Sequence, residues 1–98
     1  MSDFQSLSEL RVQAEENRID FLRTDLALCF TFTDLAKTEI AIRDRDAAVM
    51  VCAKAESGYV TISHFLPELN NPEHRKEITQ KLKELRAVLD LLEQRLHA

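Results

Sequence analysis

Glycine and proline are nearly missing from this chain of 98 residues, which contains one Gly, two Pro and no Trp. Turns depend on Gly and Pro, and folds rich in strands need many turns. The shortage therefore leaves nearly the whole chain free to form helices. It also excludes a Gly-rich phosphate-binding loop, and neither a nucleophile elbow nor the zinc motif HExxH occurs. Any functional site must lie on helix faces or between chains.

A basic surface is lacking as well. The net charge is −4. In the segment 67–98 the acidic and basic residues balance one another and are interleaved along the chain; Glu77, for example, directly follows Lys76. Binding of DNA or RNA normally needs a field of positive charge that offsets the phosphates. We therefore expect no nucleic-acid partner.

Metal-binding cysteine pairs and long apolar runs are also lacking. The two cysteines, Cys29 and Cys52, lie on apolar rows and form neither a CxxC motif nor a Cys/His pair at zinc spacing. No apolar run approaches the ~18–20 residues of a membrane span, and the first residues do not resemble a signal peptide. We expect a cytoplasmic protein with reduced thiols, with no membrane partner, cofactor or metal.

The stretch Leu22–Ile42 contains neither Gly nor Pro and carries two apolar rows. The first row is Leu22, Leu26, Cys29, Thr33, Ala36 and Ile40, and the second is Phe21, Leu28, Phe32, Leu35 and Ile42. At about 100° per residue the two rows lie roughly 120° apart around a helix. A surface helix needs only one apolar stripe, so two stripes predict neighbours on two sides.

The start of this first helix is open to two interpretations. Ser6 followed by Glu9 fits a capping box at the start of a helix, whereas Thr24 and Asp25 could cap a separate helix later in the chain. We favour one helix over about residues 6–42, because neither Gly nor Pro interrupts the segment. Residues 1–5 are expected to be disordered.

The second helix is predicted from about residue 45 to 66. Asp44 is a suitable N-cap, and Pro67 ends the helix because the residue before a proline is pushed out of the helical region. Small residues dominate its first half, and Gly58 lies in its middle. Gly costs about 1 kcal/mol relative to Ala in a helix. Close approach of another backbone would compensate for that cost, and a local bend is the alternative.

Asn71 and Pro72 predict the start of a third helix over about residues 72–96, as N-cap and first helical residue. Three helices whose apolar residues repeat about every 3.5 positions predict a single all-α domain over residues 1–98. Its expected architecture is an up-down-up three-helix bundle with a long first helix.

The second and third helices are too short to cover the first. Folded back, they reach only to about residue 17, so the segment 6–16 should extend beyond the bundle with apolar side chains uncovered. An uncovered apolar segment is expected to pack on a partner or on a second copy. Phe30 and Met50, on the outer sides of their helices, could add to such a surface. The predicted partner-binding residues are Leu7, Leu10, Ala14, Phe21, Phe30 and Met50.

These features favour a helical protein–protein interaction or scaffold module without catalytic activity, which forms a homodimer or binds another protein. The alternative is a bundle that binds a small molecule or a metal, possibly as an enzyme. In that case Thr33, Glu39, Cys52 and Tyr59 would face an internal gap. The histidines His64, His74 and His97 are expected at the surface in solvent, since none fits the ExxH pattern of di-iron bundles.

Residues 32–60 resemble one helical hairpin of the tetratricopeptide family. Leu35-Ala36 occupies the position of its Leu-Gly pair, and Ala48 and Ala55 occupy its two small positions. The departures from that pattern are Glu39 for Tyr, Cys52 for Phe and Val60 for the closing Pro. The resemblance covers about a third of the chain without a second copy, and it implies a protein-binding helical module.

Overall fold

The protein is described here by a computed structural model, which defines the backbone of residues 3–98 and the side chains of residues 6–98. It consists of α1 (Asp3–Ala41), α2 (Arg45–Phe65), a 3₁₀ turn (Leu66–Glu68) and α3 (Pro72–Leu96). The described residues contain no strand, and the predicted all-α class with a long first helix is confirmed. The helices are compatible with a three-helix bundle.

α1 is one unbroken helix of 39 residues, so Thr24 does not begin a new one. It starts at Asp3, and the predicted capping pair Ser6 and Glu9 therefore lies inside the helix. Residues 3–5, which were expected to be disordered, belong to this helix, and residues 1 and 2 lie outside the described range. At about 1.5 Å per residue α1 is roughly 58 Å long, which accounts for most of the 62 Å length of the molecule.

Two short connections reverse the chain. After α1, Arg43 adopts a positive φ of 62°, and its N–H donates to the carbonyl of Ile40 at 3.0 Å, as in a helix end closed by a left-handed residue. Asp44 then caps α2 by accepting a hydrogen bond from the N–H of Ala47 at 3.1 Å. After α2 the chain continues through Pro67 as a 3₁₀ turn instead of becoming irregular there.

The core lies between the apolar rows of the three helices. α1 contributes its first row, from Ile19 to Ala36, and α3 contributes six buried residues from Ile78 to Leu96. α2 contributes mostly small residues, and a Cβ atom at Gly58 would clash with Sγ of Cys29 on α1. Gly58 therefore leaves room for the Cys29 side chain, whereas the sequence had predicted close approach of a backbone.

Candidate interaction surface

The N-terminal part of α1 extends beyond the other two helices. Leu7, Leu10 and Val12 are 52%, 65% and 56% exposed, although all three are large apolar side chains. The last link to the bundle is Glu15, whose carboxylate accepts hydrogen bonds from the backbone N–H groups of Asn70 and Asn71 at 3.0–3.2 Å. We call residues 6–14 the overhang.

An apolar row runs along the outside of α1 over its full length, with one residue in every seven. Its members are Leu7, Ala14, Phe21, Leu28, Leu35 and Ile42. Ala14 is half-buried, and the five larger residues are 42–66% exposed. Four members of the second apolar row predicted from the sequence thus belong to a longer row that includes the overhang and faces outward. The fifth, Phe32, is half-buried and packs against the core.

A second row lies three positions after each of the first five members of the apolar row. It consists of Leu10, Asn17, Thr24, Thr31 and Thr38, which are all exposed. The hydroxyls of Thr31 and Thr38 donate to the carbonyls of Ala27 and Asp34 at 3.0 and 3.3 Å. These hydroxyl donors are satisfied within α1, so a partner could cover them without leaving them unpaired.

Together the two rows have the a and d spacing of a coiled-coil seam, with apolar residues at a and mainly small polar residues at d. We call them the exposed seam. A repeat of seven residues that is kept over five intervals is the pattern by which one helix follows another in a left-handed supercoil. The surface therefore has the periodicity of a helix-binding face.

Phe65, which the sequence analysis missed, adds to this surface where α2 ends. Its ring meets that of Phe21 edge to face, with 6.2 Å between the ring centroids. The two rings line a surface depression of about 260 Å³, together with Asn17, Arg18, Leu22 and Glu68. Phe65 follows no seam of α2, and only its position before the Leu66–Glu68 turn places it beside α1.

The structure places most of the predicted partner-binding residues at the surface. Leu7, Leu10, Phe21 and Met50 are exposed. Phe30 was expected at the surface too, but it is half-buried and packs against the core. The reason is that α3 covers this side of α1: Arg23, seven residues earlier on the same side, is bound by Glu77 of α3 through two hydrogen bonds of 2.7 and 2.8 Å.

His74 differs from the expectation of a solvated histidine. It is half-buried, and its Nδ1 lies 3.3 Å from Oε1 of Glu15. The backbone N–H of Asn71, and after it that of Asn70, lowers the pKa of the Glu15 carboxyl. The contacts of Glu15 with His74, Asn70 and Asn71 therefore join the base of the overhang to the start of α3.

The residues of the alternative, ligand-binding hypothesis do not converge. Thr33 is 1% exposed and its hydroxyl donates to the carbonyl of Phe30 at 2.8 Å, three residues back. Tyr59 packs under the guanidinium of Arg86, 5.0 Å from its ring centroid. None of Thr33, Glu39, Cys52 and Tyr59 lines the five well-defined depressions of the described surface.

The two cysteines and the acidic residues form no reactive centre in the described part of the chain. Burial raises the pKa of the Cys29 thiol to about 11, and it also raises the pKa of the Cys52 thiol. Both thiols are unpaired and buried. Over residues 6–98 no three His, Cys, Asp or Glu side chains lie together as a metal site would require.

Comparisons with protein-family models, with curated proteins and with solved structures find no match to this chain. The resemblance of residues 32–60 to a tetratricopeptide hairpin therefore stays a prediction. Among the described helices, none combines the length and the apolar character that crossing a membrane requires.

Proposed function

We propose that this protein is a cytoplasmic interaction module without catalytic activity, and that it works by pairing the exposed seam of α1 with a helix of a second copy. The supporting observation is that an apolar residue recurs every seven positions on the outer face of α1, where the large apolar residues are 42–66% exposed. Such a pattern is costly in water unless a helix covers it. The resemblance to a tetratricopeptide hairpin agrees with a role in protein binding.

The size of the surface argues that the whole seam is used and not the overhang alone. The overhang is about 13 Å long and about 10 Å wide, which gives only about 130 Å², whereas each partner in a stable complex buries roughly 800 Å². The full seam from residue 7 to residue 42 is about 53 Å long and offers about 530 Å² before the relief of its side chains is counted. Only the full seam approaches the area that a dimer needs.

A second copy fits this surface because α1 itself has the pattern that the seam requires. Heptad seams pack against helices with the same repeat, knob into hole. A dimer in which each chain offers the same face also closes without leaving a further seam uncovered. The homodimer is therefore the assembly that we propose.

Light scattering after size exclusion tests the proposal on the full chain. We expect twice the mass of the 11.3 kDa chain for the natural protein, and the monomer mass for the Leu28→Glu and Leu10→Glu variants, which place a charge in the seam. The matched control is Leu91→Glu on α3, because Leu91 is 61% exposed and lies outside the seam. It should remain a dimer. A monomeric natural protein at hundreds of micromolar would end the proposal.

A further inference from the structure

We infer that the second copy packs antiparallel to the first in one register, with Leu7 opposite Thr38 and Leu10 opposite Leu35 of the second copy. This inference rests on the proposed homodimer and adds its direction and its specificity. It follows from the charged residues that flank the exposed seam, since flanking charges set the orientation and the register of paired helices.

Parallel pairing is disfavoured by repulsion between acidic residues. In parallel pairs the residue before each a position faces the residue after the next d position of the other helix. Parallel α1 helices would therefore place Asp20 against Asp25 of the second copy. They would also place Asp34 against Glu39. Symmetry doubles each contact, and no pair of opposite charge forms across the dimer. Within α1, Asp20 and Asp34 each have one basic neighbour, Arg23 at 3.7 Å and Lys37 at 3.8 Å, and these exposed ion pairs screen the repulsion only in part.

Antiparallel pairing in the inferred register has no such conflict. The residues that follow d then face one another across the dimer, and Arg18 meets Asp25 of the second copy twice by symmetry. The residues that precede a also face one another, and here Asp20 meets Ala27 and Asp34 meets Gln13. This arrangement has two attractive contacts between opposite charges and none between like charges.

Shifting the antiparallel register by one heptad, so that Leu10 lies opposite Ile42, restores the repulsion. Asp25 then faces its own copy, and Asp20 faces Asp34 twice by symmetry. The contact of Arg11 with Glu39 is attractive and also occurs twice, but the repulsive contacts outnumber it. This register is therefore less favourable than the inferred one.

The opposite shift, with Leu10 opposite Leu28, is disfavoured for two reasons. Arg18 and Asp20 would each face their own copy, and these two repulsive contacts offset the attraction of Arg11 for Asp25. Fewer layers of the seam are also in contact, because more of each helix extends past the other. Charge complementarity therefore selects one register of the three.

The same register explains the overhang. The two-fold axis of the dimer would pass between Leu22 and Arg23, near the middle of α1. The overhang of each copy would then lie along residues 31–39 of the other, beside the hairpin that α1 forms with α2. Each chain would therefore cover the overhang of the other, which is the segment that α2 and α3 are too short to reach.

Charge reversal in two separate chains tests the inferred pairing. Arg18→Asp alone makes both sides of this contact acidic, and Asp25→Arg alone makes both sides basic, so each variant should dimerise about tenfold more weakly than the natural protein. Mixing the two variants should restore a dimer with the affinity of the natural protein.

 In the inferred register both contacts between positions 18 and 25 of the mixed dimer join an acidic side chain to a basic one, so the natural affinity should return. The reversals Lys83→Asp and Glu84→Arg on α3 serve as controls and should change the affinity less than twofold.

Spin labels give a second, independent reading of the register. In the inferred dimer the spin labels on the two copies of the Thr31→Cys variant should lie about 26 Å apart, because 17 residues separate Thr31 from the residue opposite it. In a dimer with parallel helices the two labels would lie within about 10 Å of each other. The natural cysteines, Cys29 and Cys52, are buried. A dimer without restoration on mixing, or with a short distance between labels, would overturn the register and leave the proposed dimer standing. A monomeric natural protein would instead end the proposed function.

Discussion

The two faces of α1 differ in exposure far more than in composition. On the inner face Leu22 is 1% exposed, whereas Leu28 on the outer face is 48% exposed. Both belong to rows of apolar residues that continue over several turns, and both faces contain threonine. The difference arises because α2 and α3 pack on only one side of α1. With 21 and 25 residues they are also shorter than α1, which has 39. An apolar row is therefore buried where another helix packs along it, and no described helix packs along the outer row.

Threonine shows how similar the two faces are. Thr33 is buried on the inner face and donates its hydroxyl to a backbone carbonyl of its own helix, and Thr31 and Thr38 do the same on the outer face. Such internal hydrogen bonds remove most of the cost of burying a hydroxyl. The outer face is thus chemically suited to burial, although no helix among the described residues covers it.

Truncating one leucine on each face would test this comparison most directly. Leu22→Ala leaves a cavity in the core and should lower the free energy of unfolding by about 2–5 kcal/mol. Leu28→Ala should lower it by less than about 1 kcal/mol in the monomer and should instead weaken dimerisation. Urea unfolding at a protein concentration below the dissociation constant separates the two effects, since dimerisation otherwise adds to the stability. Equal losses in the monomer would show that Leu28 is packed within its own chain.

A methyl group at Gly58 would sharpen the contrast from the inner side. Ala is the better helix former by about 1 kcal/mol, yet Gly58→Ala should lower the free energy of unfolding by about 1–3 kcal/mol. The reason is that its Cβ would clash with Sγ of Cys29.

Thermal unfolding would measure that loss, with Ser57→Ala as the control at an exposed neighbouring position. Adding Cys29→Ala to Gly58→Ala removes the clashing sulfur and should recover part of the stability. If Gly58→Ala alone stabilises the protein, the two helices are not in close contact there.

The fold could largely be predicted from the sequence, because its signals are local. Asp44 and Asn71 mark helix starts by accepting hydrogen bonds from backbone N–H groups two or three positions further on. Pro72 marks one because its fixed φ suits the first helical position. The shortage of Gly and Pro favoured an unbroken α1. The length of each helix then predicted the overhang, since it follows from counting residues alone.

The parts of the surface that were missed depend on contacts between residues far apart in the chain. Glu15 binds the backbone of Asn71, 56 residues away, and no pattern near either residue indicates it. Phe30 was placed outside because its own helix shows a polar side there, and only the position of α3 covers it. The sequence could identify the apolar rows, but it could not show which row the shorter helices would leave exposed.

The smallest expected effect concerns Glu15, where the covered part of α1 passes into the overhang. Hydrogen bonds from the backbone of Asn71 and Asn70 lower the pKa of this carboxyl from its ordinary value of 4.5. A carboxyl whose pKa is lower in the folded state stabilises the fold above 4.5, and that contribution is lost as the pH falls below this value. Glu15→Gln should therefore lower the free energy of unfolding by about 1 kcal/mol at pH 7 and flatten its dependence on pH below 4.5.

The control is Glu16→Gln, because Glu16 is the exposed neighbour and its substitution removes the same charge. Urea unfolding of both variants across this pH range should separate them, with only Glu15→Gln losing stability at pH 7. If both variants match the natural protein, the base of the overhang is held by the apolar contacts of Ile19 and Leu22 alone, and the boundary between the two parts of α1 then lies nearer to Ile19. If Glu15→Gln alone is weakened, a single carboxylate fixes where the covered helix ends and where the surface offered to a second copy begins.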